Sequence, residues 1–231
     1  MTPTHDRGAS WSTADMLLIV AGIAAIIGSL AIFAGPRRTQ ASQPTPGTTF
    51  ARWESVRTGG RVLGVEGAPV AAVVFSDYQC PACKRLHHLI DTVLSGRSDF
   101  EVRMRHLPLP QLHTEAIPAA VAAECAAMQG RFVSMNRELF EDQSGVADRE
   151  WDALAKRAGV PDRAAFKRCL NGSAAHARVD EDRALAANLG LAATPTFIVD
   201  GIKYSHSFTA QELRDTLVMI LSRKGAAPRQ Q

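Results

Sequence analysis

The apolar run Val70-Ala-Ala-Val-Val-Phe75 is followed within five residues by Cys80-Pro-Ala-Cys83, and a helical pattern starts there at once. This junction constrains the fold more than any other stretch. A continuous apolar run of that length reads as a central strand covered on both faces. Proline suits the first turn of a helix, where its missing N–H is not needed. Cys80 therefore falls near the N-cap, where free backbone N–H groups and the helix dipole favour a thiolate. Cys83 lies one turn on, in line with Leu86, Ile90 and Leu94, so it is expected to be the shielded partner. Lys84, Arg85, His87 and His88 are read as added positive charge in the first turns.

Two cysteines at this spacing suit thiol–disulfide exchange: Cys80 attacks a disulfide, and Cys83 resolves the mixed disulfide. The alternatives are a structural bridge and half of a zinc site. Zinc needs two further ligands at finger or ribbon spacing, and the sequence has no second Cys-x-x-Cys. Four cysteines are too few for a disulfide-dense mini-scaffold. Lys plus Arg total 26 against 23 Asp plus Glu, and so small an excess argues against a nucleic-acid binder driven by bulk charge. With 46% hydrophobic and 21% charged residues the chain is of globular composition.

Beyond the junction the pattern reads strand, helical block, strand, strand, helix. Phe100 to Leu107 alternates like a strand, with Phe100, Val102 and Met104 on one side. A helical block follows. Ile117, Val121, Cys125 and Met128 share one face, Asp148 is read as the N-cap of a second helix, and a third starts at Pro161. Thr196 to Val199 is strand-like, Asp200-Gly201 signals a hairpin, and Thr209 with Glu212 forms a capping box before a last helix. Pro195, directly before that strand, is a candidate cis-proline that would expose the Thr194 backbone. Cys125 and Cys169 lie on apolar helix faces and are read either as buried free thiols or as a bridge. His106 and His113 are read as hydrogen-bonding structural residues.

Phe75-Ser-Asp-Tyr-Gln-Cys-Pro-Ala-Cys83, Arg105-His-Leu-Pro-Leu109, Ala123-Glu-Cys-Ala126 with Gln129-Gly-Arg-Phe132, and Thr194-Pro-Thr-Phe-Ile-Val-Asp-Gly201 resemble the DsbA-like thiol–disulfide oxidoreductases, in the expected order from about Gly64 to Leu221. The resemblance implies an α/β thioredoxin-like fold with an inserted helical subdomain at about 112–190. It implies Cys80 as nucleophile, Cys83 as resolving thiol and Pro195 as the cis-proline beside them, with Pro81, Ala82 and Thr194 in support. It also implies cysteine-containing exported proteins as substrates, a quinone-linked membrane redox partner, no cofactor, and work outside the cytoplasm. Two departures stand out. Where the family often carries a buried glutamate on the central strand, this chain has Val74, so a proton relay needs another group or water. The strongly oxidising members have histidine where this chain has Ala82, and its loss is expected to raise the Cys80 pKa and weaken the oxidant. A reductase or isomerase is the alternative within that chemistry. A metallochaperone holding Cu(I) through Cys80, Cys83 and a histidine is the alternative outside it.

Met16 to Ala34 carries no charged side chain, and its nineteen residues as a helix of roughly 28 Å match the hydrocarbon thickness of a bilayer. It reads as a transmembrane anchor behind a short tail, 1–15, in preference to a signal sequence cleaved near Ser29-Leu30-Ala31. A tether, 35–49, leads to a domain at 50–223, and 224–231 read as a frayed tail. Arg37 and Arg38 outnumber Arg7 and favour a cytoplasmic domain. The redox chemistry is given priority, and the expectation is a single-pass cell-membrane protein with its catalytic domain on the extracytoplasmic, periplasmic side.

Overall fold

The computed structural model describes residues 47–204 and 206–225. The expected anchor at 16–34, the tail before it and most of the tether lie outside these residues, as do 226–231.

Six strands form one sheet in the order β1-β6-β5-β3-β4-β2. Its centre is β3 (Val70–Ser76), parallel to β4 (Phe100–His106) and antiparallel to β5 (Thr196–Val199). β6 (Ile202–Tyr204) pairs with β5, and β1 (Thr48–Thr49) pairs with β6. β2 (Arg61–Val62) closes the other edge against β4. Neither two-residue strand was legible in the sequence: Thr48 and Thr49 were assigned to the tether. The turn between β5 and β6 has Asp200 at φ 49° and Gly201 at φ 81°, as the Asp-Gly pair anticipates.

The apolar run of β3 supplies two cores because successive side chains point to opposite faces. Val70, Ala72 and Val74 join one cluster with α2 (Pro81–Leu94), α9 (Ala210–Arg223) and the helical block. Val73 and Phe75 join the other, with Val56 of the short α1 (Trp53–Val56), Leu107, Leu189 and Ile198. β4 alternates as expected, with Phe100, Val102 and Met104 in the first cluster. Its other face is buried as well, by ion pairing. Arg105 reaches Asp182 at 2.5 Å and the carbonyls of Val56 and Thr58.

The helical block comprises α3 (Ala116–Ala127), α4 (Phe132–Glu141), α5 (Gln143–Ala147), α6 (Trp151–Arg157), α7 (Arg163–Leu170) and α8 (Ser173–Asn188). α3 is rich in alanine and buried on nearly every side, so its neighbours can pack close to its axis. Cys125 of α3 and Cys169 of α7 are joined, with 5.7 Å between their Cα atoms. Three local readings are corrected. Asp148 closes α5, giving its N–H to Ser144, while α6 starts from Glu150. α7 starts at Arg163 and not at Pro161, with Asp162 as its cap accepting from the Ala165 N–H at 2.8 Å. Lys224 is not frayed: its Nζ donates to the Pro69 carbonyl and to Asp200 at 2.9 and 2.6 Å. The Thr209–Glu212 capping box forms as read.

Candidate active site

β3 and α2 meet at the two cysteines. The chain leaves β3 at Ser76, turns through Asp77-Tyr78-Gln79, and enters α2 with Cys80 at the N-cap and Pro81 at N1. The turn is fastened from several sides. Asp77 is buried, and its carboxylate accepts from the Gln79 N–H, the Leu109 N–H and His113 Nδ1 at 2.8 to 2.9 Å. Its carbonyl accepts from the Cys80 N–H at 3.2 Å. Gln143, at the start of α5, donates through Nε2 to the carbonyls of Tyr78 and Cys80 at 2.7 and 3.3 Å. Lys84 donates to the Glu141 carbonyl at 2.7 Å.

Cys80 and Cys83 are both unbridged. Cys83 is fully buried, and Cys80 is 7% exposed, so the attacking sulfur shows only a narrow aspect to solvent. The Thr194–Pro195 bond is cis, and the Thr194 carbonyl lies 3.6 Å from Cys80 Sγ and accepts from its thiol. Residues 114 apart in sequence thus meet at the nucleophile.

The two thiols are electrically unequal. A hydrogen bond from the Cys83 thiol is the largest influence on Cys80 and holds its pKa down to about 5, against the opposing effect of burial. The Cys83 and Ala82 backbone N–H groups and the Thr194 side chain add to this. The Cys83 thiol is pushed well up by burial first and by its bond to Cys80 second. The expected penalty for lacking histidine at Ala82 is therefore met by other donors.

Val74 is buried where a glutamate relay would sit, and the Asp77 carboxylate is committed to three donors. Ser76 is the polar group beside Cys83: it favours the Cys83 thiolate, and its buried Oγ has no partner among the described residues. His87 is not a source of charge. Its ring is buried against Phe140, with 4.1 Å between ring centres, and burial lowers its pKa to about 3. His106 and His113 bond to Glu124 and Asp77 at 3.0 and 2.9 Å, as structural histidines do.

A groove of about 340 Å³ is lined by Ala82, between the two cysteines in sequence, by Pro195, and by the apolar Leu86, Leu89 and Phe208. Among the described residues no cluster of three or more His, Cys, Asp or Glu side chains could hold a metal ion.

Gln143 and the Ser76 hydroxyl went unrecognised as parts of the site in the sequence, and His87 was read as a charge where it is a buried neutral ring. A lone glutamine or serine carries no pattern, and the approach of α5 to the turn is a tertiary fact.

A family model described as Thioredoxin matches residues 57–218. The curated relatives include the Na(+)/H(+) antiporter NhaA 1 of Mycolicibacterium vanbaalenii, 35% identical over 158 residues, which are 66% of this chain and 25% of that protein. The NhaA 1 of Salinispora arenicola is 31% identical over 152 residues, 66% of this chain and 23% of that protein. The chain thus spans about a quarter of the length of the curated relatives it matches. Oxidised BdbD from Bacillus subtilis superposes with a TM-score of 0.63 at 22% identity, covering 77% of this chain and 100% of that one. ScsC from Proteus mirabilis gives a TM-score of 0.64 at 17% identity, covering 91% of each chain.

The membrane-bound, extracytoplasmic placement expected from the sequence is corrected here. The relatives that carry a membrane-transport name match this chain over only a quarter of their own length, in its thioredoxin-like region. Among the described residues no helix is long and apolar enough to cross a membrane. The cysteine pair at the strand–helix junction, the cis-proline beside it and the match over 57–218 lead to one conclusion: the chain belongs to the thioredoxin family of thiol–disulfide oxidoreductases, DsbA-like in its fold.

Proposed function

We propose that the chain forms disulfides in cysteine-containing proteins, with Cys80 as nucleophile and leaving group and Cys83 as the resolving thiol. In the oxidising direction a substrate thiolate attacks Cys80 Sγ of the Cys80–Cys83 disulfide. That bond breaks, Cys83 leaves with the electron pair and takes up a proton, and a mixed disulfide forms between substrate and Cys80. A second substrate thiolate then attacks the substrate sulfur, and Cys80 leaves as a thiolate. The substrate loses two electrons, which this dithiol gains and must pass to a further disulfide or another oxidant. Pro195 and Thr194 edge the place where the substrate backbone would lie, with the Thr194 carbonyl beside the reacting sulfur.

What carries the oxidising direction is the seat of Cys80 at the N-cap of α2, where the Cys83 thiol and the N–H groups of Cys83 and Ala82 lower its pKa to about 5. A stable thiolate is a good leaving group and favours the reduced dithiol, which makes the disulfide a stronger oxidant. The test is the reduction potential of the pair, from equilibration with glutathione buffers. A value near about −120 mV supports the oxidase reading, and one near about −270 mV assigns a reductase.

A further inference from the structure

We infer that the groove beside the cysteines selects substrate segments that pair an apolar side chain with an acidic one, and that Arg85 is the specificity-determining residue. This rests on the exchange reading above and adds the class of segment exchanged.

The groove is lined by Ala82, which lies between the two cysteines in sequence, and by the cis-proline Pro195. Leu86, Leu89 and Phe208 line it with apolar surface. A substrate side chain of leucine or phenylalanine size placed there would lose its hydration to a preformed apolar wall. The lining contains no carboxylate, and its polar members are Arg85, His88, His206 and Ser207.

The charges around it are not equivalent. His88 faces the Glu141 carboxylate at 3.4 Å, and Lys84 donates to the Glu141 carbonyl. Near His206 stands Glu212, held by the Thr209 N–H in the capping box of α9. Arg85 is exposed and makes no ion pair or hydrogen bond among the described residues. It stands on α2 five positions after Cys80, over the same groove. A guanidinium presents a planar fork of donors that matches a carboxylate. The position therefore suits an Asp or Glu of the docked segment, while Lys or Arg there would be repelled.

The test uses the full chain in its oxidised form with three short peptides. Each carries one cysteine and one leucine, and they differ only in Glu, Gln or Lys next to the leucine. Acid-quenched samples resolved by mass give the rate of exchange. The Glu peptide is expected to react about three- to fivefold faster than the Lys peptide, the size of an exposed ion pair. Arg85→Gln should bring that ratio close to one, and Arg85→Glu should invert it. The variants also cancel the effect of each peptide's charge on its own thiol. A ratio that is the same in the native chain and in Arg85→Glu overturns the assignment of Arg85. Failure of all three peptides, the Gln peptide included, to exchange with the native chain overturns the exchange reading and this inference with it.

Discussion

Cys80 and Cys83 differ in pKa because one sits at a helix N-terminus among donors and the other is sealed inside. Since the leading influence on Cys80 is the Cys83 thiol, Cys83→Ala should raise the Cys80 pKa from about 5 by roughly one to two units. Ultraviolet thiolate absorbance against pH measures this. The same shift sets the sign of a stability effect in the reduced protein. A thiolate held at about 5 stabilises the fold fully above the ordinary thiol value near 9, and the gain fades as pH falls through about 5. Denaturant midpoints of the reduced native chain and of Cys80→Ala should therefore converge in acid and separate toward alkaline pH. Gln143 makes a second case. Gln143→Ala removes donors from the carbonyls of Tyr78 and Cys80 and should cost about 1–2 kcal/mol in equilibrium unfolding. The two cysteines were legible because their chemistry is tied to local order in the chain. Gln143 was not, since nothing near it in sequence hints at the carbonyls it meets.

Elements were legible where the pattern was local and long. β3, α2, β4 and α9 follow from apolar runs, periodicity and a capping box, and each lies close to its expected span. Short edge strands were missed because two residues show no period, and β1 and β2 exist through pairing with β6 and β4. The start of α6 was misplaced because Asp148, a good cap in isolation, is used to finish α5. At this scale the Cys125–Cys169 link fastens α3 to α7 across 44 residues of sequence separation. In the chain-entropy treatment a closure of that length is worth about 4 kcal/mol. The paired change of Cys125 and Cys169 to Ala should thus lower unfolding free energy by about 2–4 kcal/mol while leaving exchange at Cys80 intact. Thiol counting on the denatured, unreduced native chain should find no free sulfur at either position.

Across the whole molecule the helical block is bound to the sheet by buried charge as well as by apolar packing. Glu124 of α3 bonds to Arg61 of β2 and to His106 of β4. Burial opposes its charge, yet the bonds from His106 and Arg61 outweigh that and hold its pKa near 2. Its contribution is present above the ordinary carboxylate value and is lost only as pH falls through about 2. Glu124→Ala should cost about 2–4 kcal/mol, because it leaves the buried His106 and the partly exposed Arg61 without their partner. Thermal unfolding at neutral pH checks this, and Glu124→Gln should recover part of the loss. Of this cluster only the structural role of His106 was legible beforehand; its partners were not, since they come from elements that only the fold brings together. The distance in sequence between Cys80 and Thr194 has a further consequence, for biosynthesis. Chains emerge from the ribosome amino end first, and domains tend to take shape in that order. β3 and the active-site helix are complete long before Thr194 and Pro195 have been made, so the nascent Cys80 sulfur lacks one wall of its shelter. During that interval the Cys80 thiolate of a newborn chain is open to exchange with stray disulfides, and only the last part of translation puts the lid on its own reactive centre.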